Sequence, residues 1–149
     1  MGRRESASAR IGASPVAVFS LVTDVAKLPE WNRAITDVVE VSGELAAGLV
    51  WKVRVHALGQ SWVSKSRVSA LDPTAGYFAY RSQSDDDNAS YADWEWRVEP
   101  EEGGSMVTVT VDINPITFWR KHLFVRIRRP ALRKEMQDSL AALGAAVQA

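Results

Sequence analysis

The sequence predicts an α+β fold in which a curved antiparallel sheet of consecutive strands packs against one long C-terminal helix. Three observations carry this. From residue 130 to residue 149 the apolar side chains Leu132, Met136, Leu140, Leu143 and Val147 recur in steps of four, four, three and four. That is the period of one helix face, with Arg133, Lys134, Gln137 and Asp138 behind it. Residues 35–114 instead alternate apolar and polar side chains in short runs broken by Gly, Pro, Asp and Ser, the pattern of half-buried strands joined by tight turns. Helical signals are confined to the two ends of the chain, which separates α+β from an alternating α/β design. A helix with one apolar stripe has to bury it, and the sheet offers the broad apolar surface it needs.

Taken in order, residues 6–11 read as a first strand. Ser14 followed by Pro15 is a helix entry, with serine as N-cap and a proline whose missing N–H is one the first turn leaves unpaired anyway. This helix should end near Val22. Asp24 is expected to cap a second short helix through Val25, Ala26 and Leu28, stopped or turned by Pro29, with Trp31 and Ile35 as apolar anchors beyond it. Strands follow at 35–42, 50–57, 60–71, 77–82, 91–99 and 106–114. The turns between them carry Ser42-Gly43-Glu44, Leu58-Gly59-Gln60, Asp72-Pro73-Thr74-Ala75-Gly76 and, from Pro100 to Ser105, Gly103-Gly104. The stretch 115–129 reads as a helical or irregular approach, and Pro130 as the first position of the final helix.

Alternation assigns the strand faces. One face carries Trp51, Val53, Val55 and Ala57, then Trp62, Ser64, Ser66 and Val68, then Phe78 and Tyr80, then Ala92, Trp94, Trp96 and Val98. The other carries Lys52, Arg54, His56, Lys65, Arg67, Asp93 and Glu95. The aromatic face is the inner one, because a slip of one residue would bury the charges in its place.

At 149 residues the chain is expected to form one domain, 1–149, with a proper core. It has no cysteine, which excludes disulfides and thiolate metal sites, and two histidines, His56 and His122, too few for a His-built metal centre. No metal and no cofactor is therefore expected. No apolar run approaches the roughly 18 residues of a membrane span and no signal-peptide core is present, so the expected location is cytoplasmic. A formal net charge of zero argues against nucleic acid as a partner. The charges are nonetheless unevenly spread: seven Lys/Arg and no acid fall between Arg120 and Lys134, and eight acids against Arg97 alone fall between Asp85 and Glu102.

The run Ala13-Ser14-Pro15-Val16-Ala17-Val18-Phe19 followed by Asp24-Val25-Ala26-Lys27-Leu28-Pro29-Glu30-Trp31-Asn32, with the Asp72-Pro73 turn and the Trp94/Trp96 strand running to Gly103-Gly104, resembles the polyketide cyclase/dehydrase family. That family belongs to the START-like (SRPBCC, helix-grip) superfamily. The resemblance covers nearly the whole chain and rests on turns and core positions. It implies a curved seven-stranded antiparallel sheet wrapped around the C-terminal helix, two short helices after the first strand, and a cavity that takes a hydrophobic or amphipathic small molecule. One fold hosts many functions, so the chemistry has to come from the residues.

The ligand-binding candidates are Trp51, Val53, Trp62, Ser64, Ser66, Phe78, Tyr80, Trp94 and Trp96 on the sheet and Leu132, Met136 and Leu140 on the helix. An apolar aromatic wall with sparse hydroxyls is the usual composition of a ligand pocket. Aromatics also fill cores, and the sequence leaves both readings open. No nucleophile constellation stands out: His56 falls on the outer face, and Asp85-Asp86-Asp87 lacks the spacing of a calcium loop. Should the protein be an enzyme, Tyr80, Ser64, Ser66 and His122 are the candidates for orienting or proton-shuttling roles. Ile116, Trp119 and Leu123 recur at helical spacing beside Arg120 and Lys121. With Arg126 these suggest a contact with an anionic membrane surface or an acyl carrier protein. The favoured function is binding or transfer of a lipid-, polyketide- or isoprenoid-like molecule. The alternatives are an aromatase/cyclase-type enzyme and a protein-interaction module with a filled core.

Overall fold

The structure, a computed structural model, describes residues 4–57, 59–84, 90–114 and 125–148, with the side chains of 57 and 125–131 outside the description. The chain runs β1 (Arg4–Ile11), α1 (Pro15–Val22), a 3-10 turn (Val25–Lys27), α2 (Leu28–Trp31), β2 (Ile35–Val41), β3 (Val50–Ala57), β4 (Gln60–Asp72), β5 (Tyr77–Ser84), β6 (Tyr91–Glu101), β7 (Gly104–Asn114) and α3 (Val125–Gln148). The sheet has seven strands in the order β1-β7-β6-β5-β4-β3-β2. From β2 to β7 it is a meander of antiparallel neighbours, and β1 returns to the far edge beside β7. The predicted α+β class, with a curved seven-stranded sheet and a C-terminal helix, is the fold observed.

Local chemistry explains most of the element ends. The Ser14 side chain accepts a hydrogen bond from the Ala17 N–H at 3.2 Å, and Pro15 occupies the first turn of α1. The Asp72 carboxylate accepts from the Ala75 N–H at 3.1 Å, closing the β4–β5 turn. Gly76 completes that turn at φ +66, where a Cβ would stand 2.1 Å from the Val98 carbonyl oxygen. Glycine is required there twice over, by the left-handed backbone and by the close approach of β6.

Several boundaries differ from the sequence reading. Asp24 makes no side-chain cap bond, and Pro29 stands near the start of α2 rather than ending a helix. A proline one residue into a short helix opens it, because its fixed φ suits the first turn. β1 starts at Arg4, since Arg4 and Glu5 pair with Asp112 and Val111. β5 runs on to Ser84, held by Ser66↔Ser82 and Ser64↔Ser84. The β6–β7 hairpin is tighter than expected: Pro100 pairs with Ser105 and Glu101 with Gly104, leaving Glu102-Gly103 as the turn. Pro100 is tolerated because the pairing with β5 ends at Arg97, so its missing N–H faces no partner strand. Finally, α3 begins at Val125, so Pro130 lies inside the helix and not at its first position.

The face assignment holds along the sheet. Trp51, Val53, Val68, Phe78, Trp96, Val98, Val107, Val109 and Val111 are buried with Leu132, Met136, Leu140 and Leu143 of α3. On the outer face Arg81 clasps Asp93 at 2.7 and 3.1 Å, Tyr77 donates to Glu95 at 2.5 Å, and Arg54 meets Asp37 at 3.3 Å. Polar contacts among the described residues tie α3 to the segment after α2 and to β1. The Arg33 N–H after α2 donates to Ser139 Oγ at 2.9 Å, and Arg133 Nε and Nη2 donate to Glu5 Oε2 at 3.1 and 2.9 Å.

Candidate functional site

Between the inner face of the sheet and α3 lies a recess of about 180 Å³. β3, β4, β5 and β6 supply its wall with Trp51, Val53, Trp62, Ser64, Ser66, Tyr80, Trp94 and Trp96, and α3 closes it with Leu132 and Met136. Ten of the twelve ligand-binding candidates are thus gathered around one space. Phe78 and Leu140 do not line it. They are 2% and 1% exposed and belong to the packed core, where Phe78 stacks on Trp51 at 6.1 Å. Strand parity put Phe78 on the inner face correctly, but parity says nothing about where along that face the packing opens. Some of the aromatics thus pack in the core and others border the recess.

The aromatic wall is a connected series. Tyr80 meets Trp51 edge-on at 4.9 Å and stacks near-parallel to Trp94 at 6.3 Å, while Trp96 meets Trp31 at 5.3 Å in a T-shaped pair. Such pairs are favourable beyond simple burial, and they hold each ring in place. Hydrogen bonds then fix two of the hydroxyls. Trp94 Nε1 donates to Ser82 Oγ at 3.1 Å and Trp96 Nε1 donates to Tyr80 Oη at 3.4 Å. Burial pushes the Tyr80 phenol up to about 12. It stays protonated at neutral pH and can donate a hydrogen bond.

Several lining residues escaped the sequence reading: Ser82, Gln83, Ser84, Ser90 and Tyr91 at the β5–β6 end, Leu28 and Asn32 around α2, and Glu135 and Ser139 on α3. Ser82 and Ser84 continue the parity of Phe78 and Tyr80, and Ser84 lies beyond the expected strand end at 82. Glu135 and Ser139 flank the apolar stripe of α3, where the helical period alone does not show which flank faces the sheet. Of the remaining candidates, Arg120, Lys121 and His122 lie outside the described residues, as does the side chain of Arg126. His56 is exposed on the outer face, with Nδ1 2.8 Å from Ser61 Oγ. Among the described residues no three of His, Cys, Asp and Glu are grouped to hold a metal ion, and no helix is long and apolar enough to cross a membrane.

A second, wider depression of about 610 Å³ lies on the outer face over Arg67, Arg81, Asp93 and Glu95. Arg81 and Glu95 there are already hydrogen-bonded to Asp93 and Tyr77. The inner recess, with its aromatic wall and hydroxyls, is the better formed site.

A curved antiparallel sheet gripping a C-terminal helix over an aromatic recess defines a helix-grip, ligand-binding class of fold. The chain belongs to the polyketide cyclase/dehydrase and lipid transport family, whose model matches residues 4–148. Among solved structures it is similar to the Zhui aromatase/cyclase from Streptomyces sp. R1128, with a TM-score of 0.82 at 18% identity over 98% of this chain and 93% of that one. It is also similar to a Thermus thermophilus protein, TTHA0849, with a TM-score of 0.78 at 19% identity over 97% of each chain. Ara h 8.0201 gives a TM-score of 0.74 at 18% identity, again over 97% of each. Identities this low establish the shared fold. By sequence alone the chain matches no curated protein.

Proposed function

We propose that this chain is a single ligand-binding domain that takes up a hydrophobic or amphipathic small molecule in the inner recess and carries it as a binding or transfer protein. The observation that supports this most directly is the recess itself, walled by Trp51, Trp62, Tyr80, Trp94 and Trp96 and dotted with hydroxyls. Apolar walls supply affinity through burial, and a few placed polar groups fix orientation. Size narrows the ligand. About 180 Å³ is below the roughly 300–1,000 Å³ of pockets for drug-sized ligands. It is close to the ~150 Å³ known to admit benzene. A one-ring ligand fits the space as it stands, and a longer chain requires α3 to shift outward.

The test is native mass spectrometry of freshly purified protein with organic extraction of any adduct, followed by an NMR titration with toluene that follows the tryptophan indole N–H signals. A discrete adduct lost on denaturation, or saturable shifts at Trp94 and Trp96, is the expected result. A bare mass together with unmoved indole signals overturns the proposal and favours an interaction module with a filled core.

One observation favours an aromatase/cyclase-type enzyme as the second reading. Tyr80, Ser64 and Ser66, the three catalytic candidates within the described residues, share the recess. A protonated phenol beside serine hydroxyls can hold a carbonyl in place for ring closure. Recovery of a cyclised aromatic product in the extract supports this reading, and an intact fatty or isoprenoid chain supports transport. The basic run of Arg120, Lys121 and Arg126 is proposed to meet an anionic membrane surface or an acyl carrier protein. Reversing all three to Glu is expected to abolish that contact, and unchanged binding to anionic vesicles and to carrier protein rejects it.

A further inference from the structure

The polar side of the recess is a patch built by strand register. Ser66 pairs with Ser82 and Ser64 with Ser84 across β4 and β5. Ser64 and Ser66 are 8% and 3% exposed, yet no hydrogen bond reaches either hydroxyl among the described residues. Neither hydroxyl is among the wholly buried side-chain atoms left without a partner in the described residues; both open onto the same recess, where a group that enters can complete them. The neighbouring hydroxyls are half-committed. A hydroxyl has one proton to donate and two lone pairs to accept with. Ser82 Oγ and Tyr80 Oη each accept an indole N–H, from Trp94 and Trp96, and each keeps its own proton to give.

The geometry points to a ligand that presents an acceptor oxygen, a neutral carbonyl, to the Ser64–Ser66–Tyr80–Ser82 face while its ring or chain lies along the tryptophans. This rests on the reading of the recess as the ligand site. The face offers donors where the two indoles have used acceptors, so an oxygen that can only accept is served and an isosteric CH₂ is not. Charge selects as well. No Lys, Arg or His lines the recess among the described residues. A carboxylate would enter with no counter-ion among the described residues, which burial penalises.

The experiment compares three probes of one shape on the intact protein: acetophenone, α-methylstyrene, in which CH₂ replaces the carbonyl oxygen, and benzoate. Affinities come from the indole N–H shifts of Trp94 and Trp96. Acetophenone is expected to bind at least about tenfold more tightly than either other probe, the factor that one satisfied buried hydrogen bond supplies. In the Ser64→Ala/Ser66→Ala double variant the advantage of acetophenone over α-methylstyrene should fall below about threefold. Equal binding of acetophenone and α-methylstyrene to the native protein overturns this inference and leaves the ligand site standing. Tighter binding of benzoate overturns it too. If none of the three binds, the ligand site and the inference fail together. The probe comparison uses the native protein, so it decides the matter even if the double variant does not fold.

Discussion

Tyr80 concentrates the chemistry of the recess in one side chain. Its phenol is raised from 10.0 to about 12, by burial first, with the Trp96 N–H bond acting in the opposite sense. Tyr77 is raised as well, first by its hydrogen bond to Glu95. The folded state therefore holds these protons when the unfolded chain has begun to release them. Stability from this source is complete below pH 10 and falls as pH rises toward about 12. Denaturation in urea across that interval should show the decline, and Tyr80→Phe should make it shallower; an unchanged slope rejects the assignment. Trp31 offers a second test at this scale. It is 1% exposed and its Nε1 has no hydrogen-bond partner among the described residues. Trp31→Phe keeps most of the packing on Trp96 and removes an unpaired N–H, so the loss is expected to stay within about 1 kcal/mol. Trp31→Ala should cost about 3–5 kcal/mol through the space it leaves. Equal losses in the two variants would show that the indole N–H is satisfied.

Among the elements, α3 is held by its apolar stripe and by polar ties, of which the one between Glu5 and Arg133 is the most asymmetric. Glu5 sits on the inner face of β1 with its side chain 6% exposed, whereas Arg133 opposite is 64% exposed. The asymmetry decides which partner matters. Losing Arg133 removes two of the contacts of a buried carboxylate, while an arginine that loses its carboxylate can turn to water. Arg133→Met is expected to destabilise by about 2 kcal/mol, and Glu5→Gln by about half of that, read from denaturation midpoints at constant slope. The opposite order rejects the argument. The β4–β5 turn is the other sensitive element. Gly76→Ala places a Cβ both in left-handed backbone and against the Val98 carbonyl, and a loss of about 2 kcal/mol or more is expected on thermal unfolding.

For the molecule as a whole, a ligand that enters the recess binds the folded chain and not the unfolded one. A ligand held at one hundred times its dissociation constant adds about 2.7 kcal/mol. For a chain of 149 residues that is on the order of 5–11 °C in Tm. Acetophenone at saturation is expected to produce a rise of that order, and a melting curve that does not move with ligand concentration counts against the recess as the site. The whole molecule also explains why a small void is tolerated at all. Beyond the recess Val107, Val109 and Leu143 are fully buried, as are Phe78 and Leu140 to within 2%. The close packing is continuous there, and the opening lies where the wall turns from valines to tryptophans and serines.

Sequence by itself determined what depends on period and on local backbone chemistry. Alternation in β3, β4 and β6 assigned Trp51, Trp62, Trp94 and Trp96 to the inner face, because side chains on a strand have no choice but to alternate. The step pattern from Leu132 to Val147 marked the buried stripe of α3, and Ser14-Pro15 marked the start of α1, since a cap and a fixed φ act within one turn. Tertiary structure alone decided the rest. That Ser64 and Ser66 stand beside Ser84 and Ser82 follows from register between strands. That Phe78 fills while Trp94 lines follows from how far α3 reaches along the sheet. That Glu5 meets Arg133 joins positions at opposite ends of the chain. None of these is a property of a window of sequence; each is a distance between elements, set only when the sheet curves around the helix.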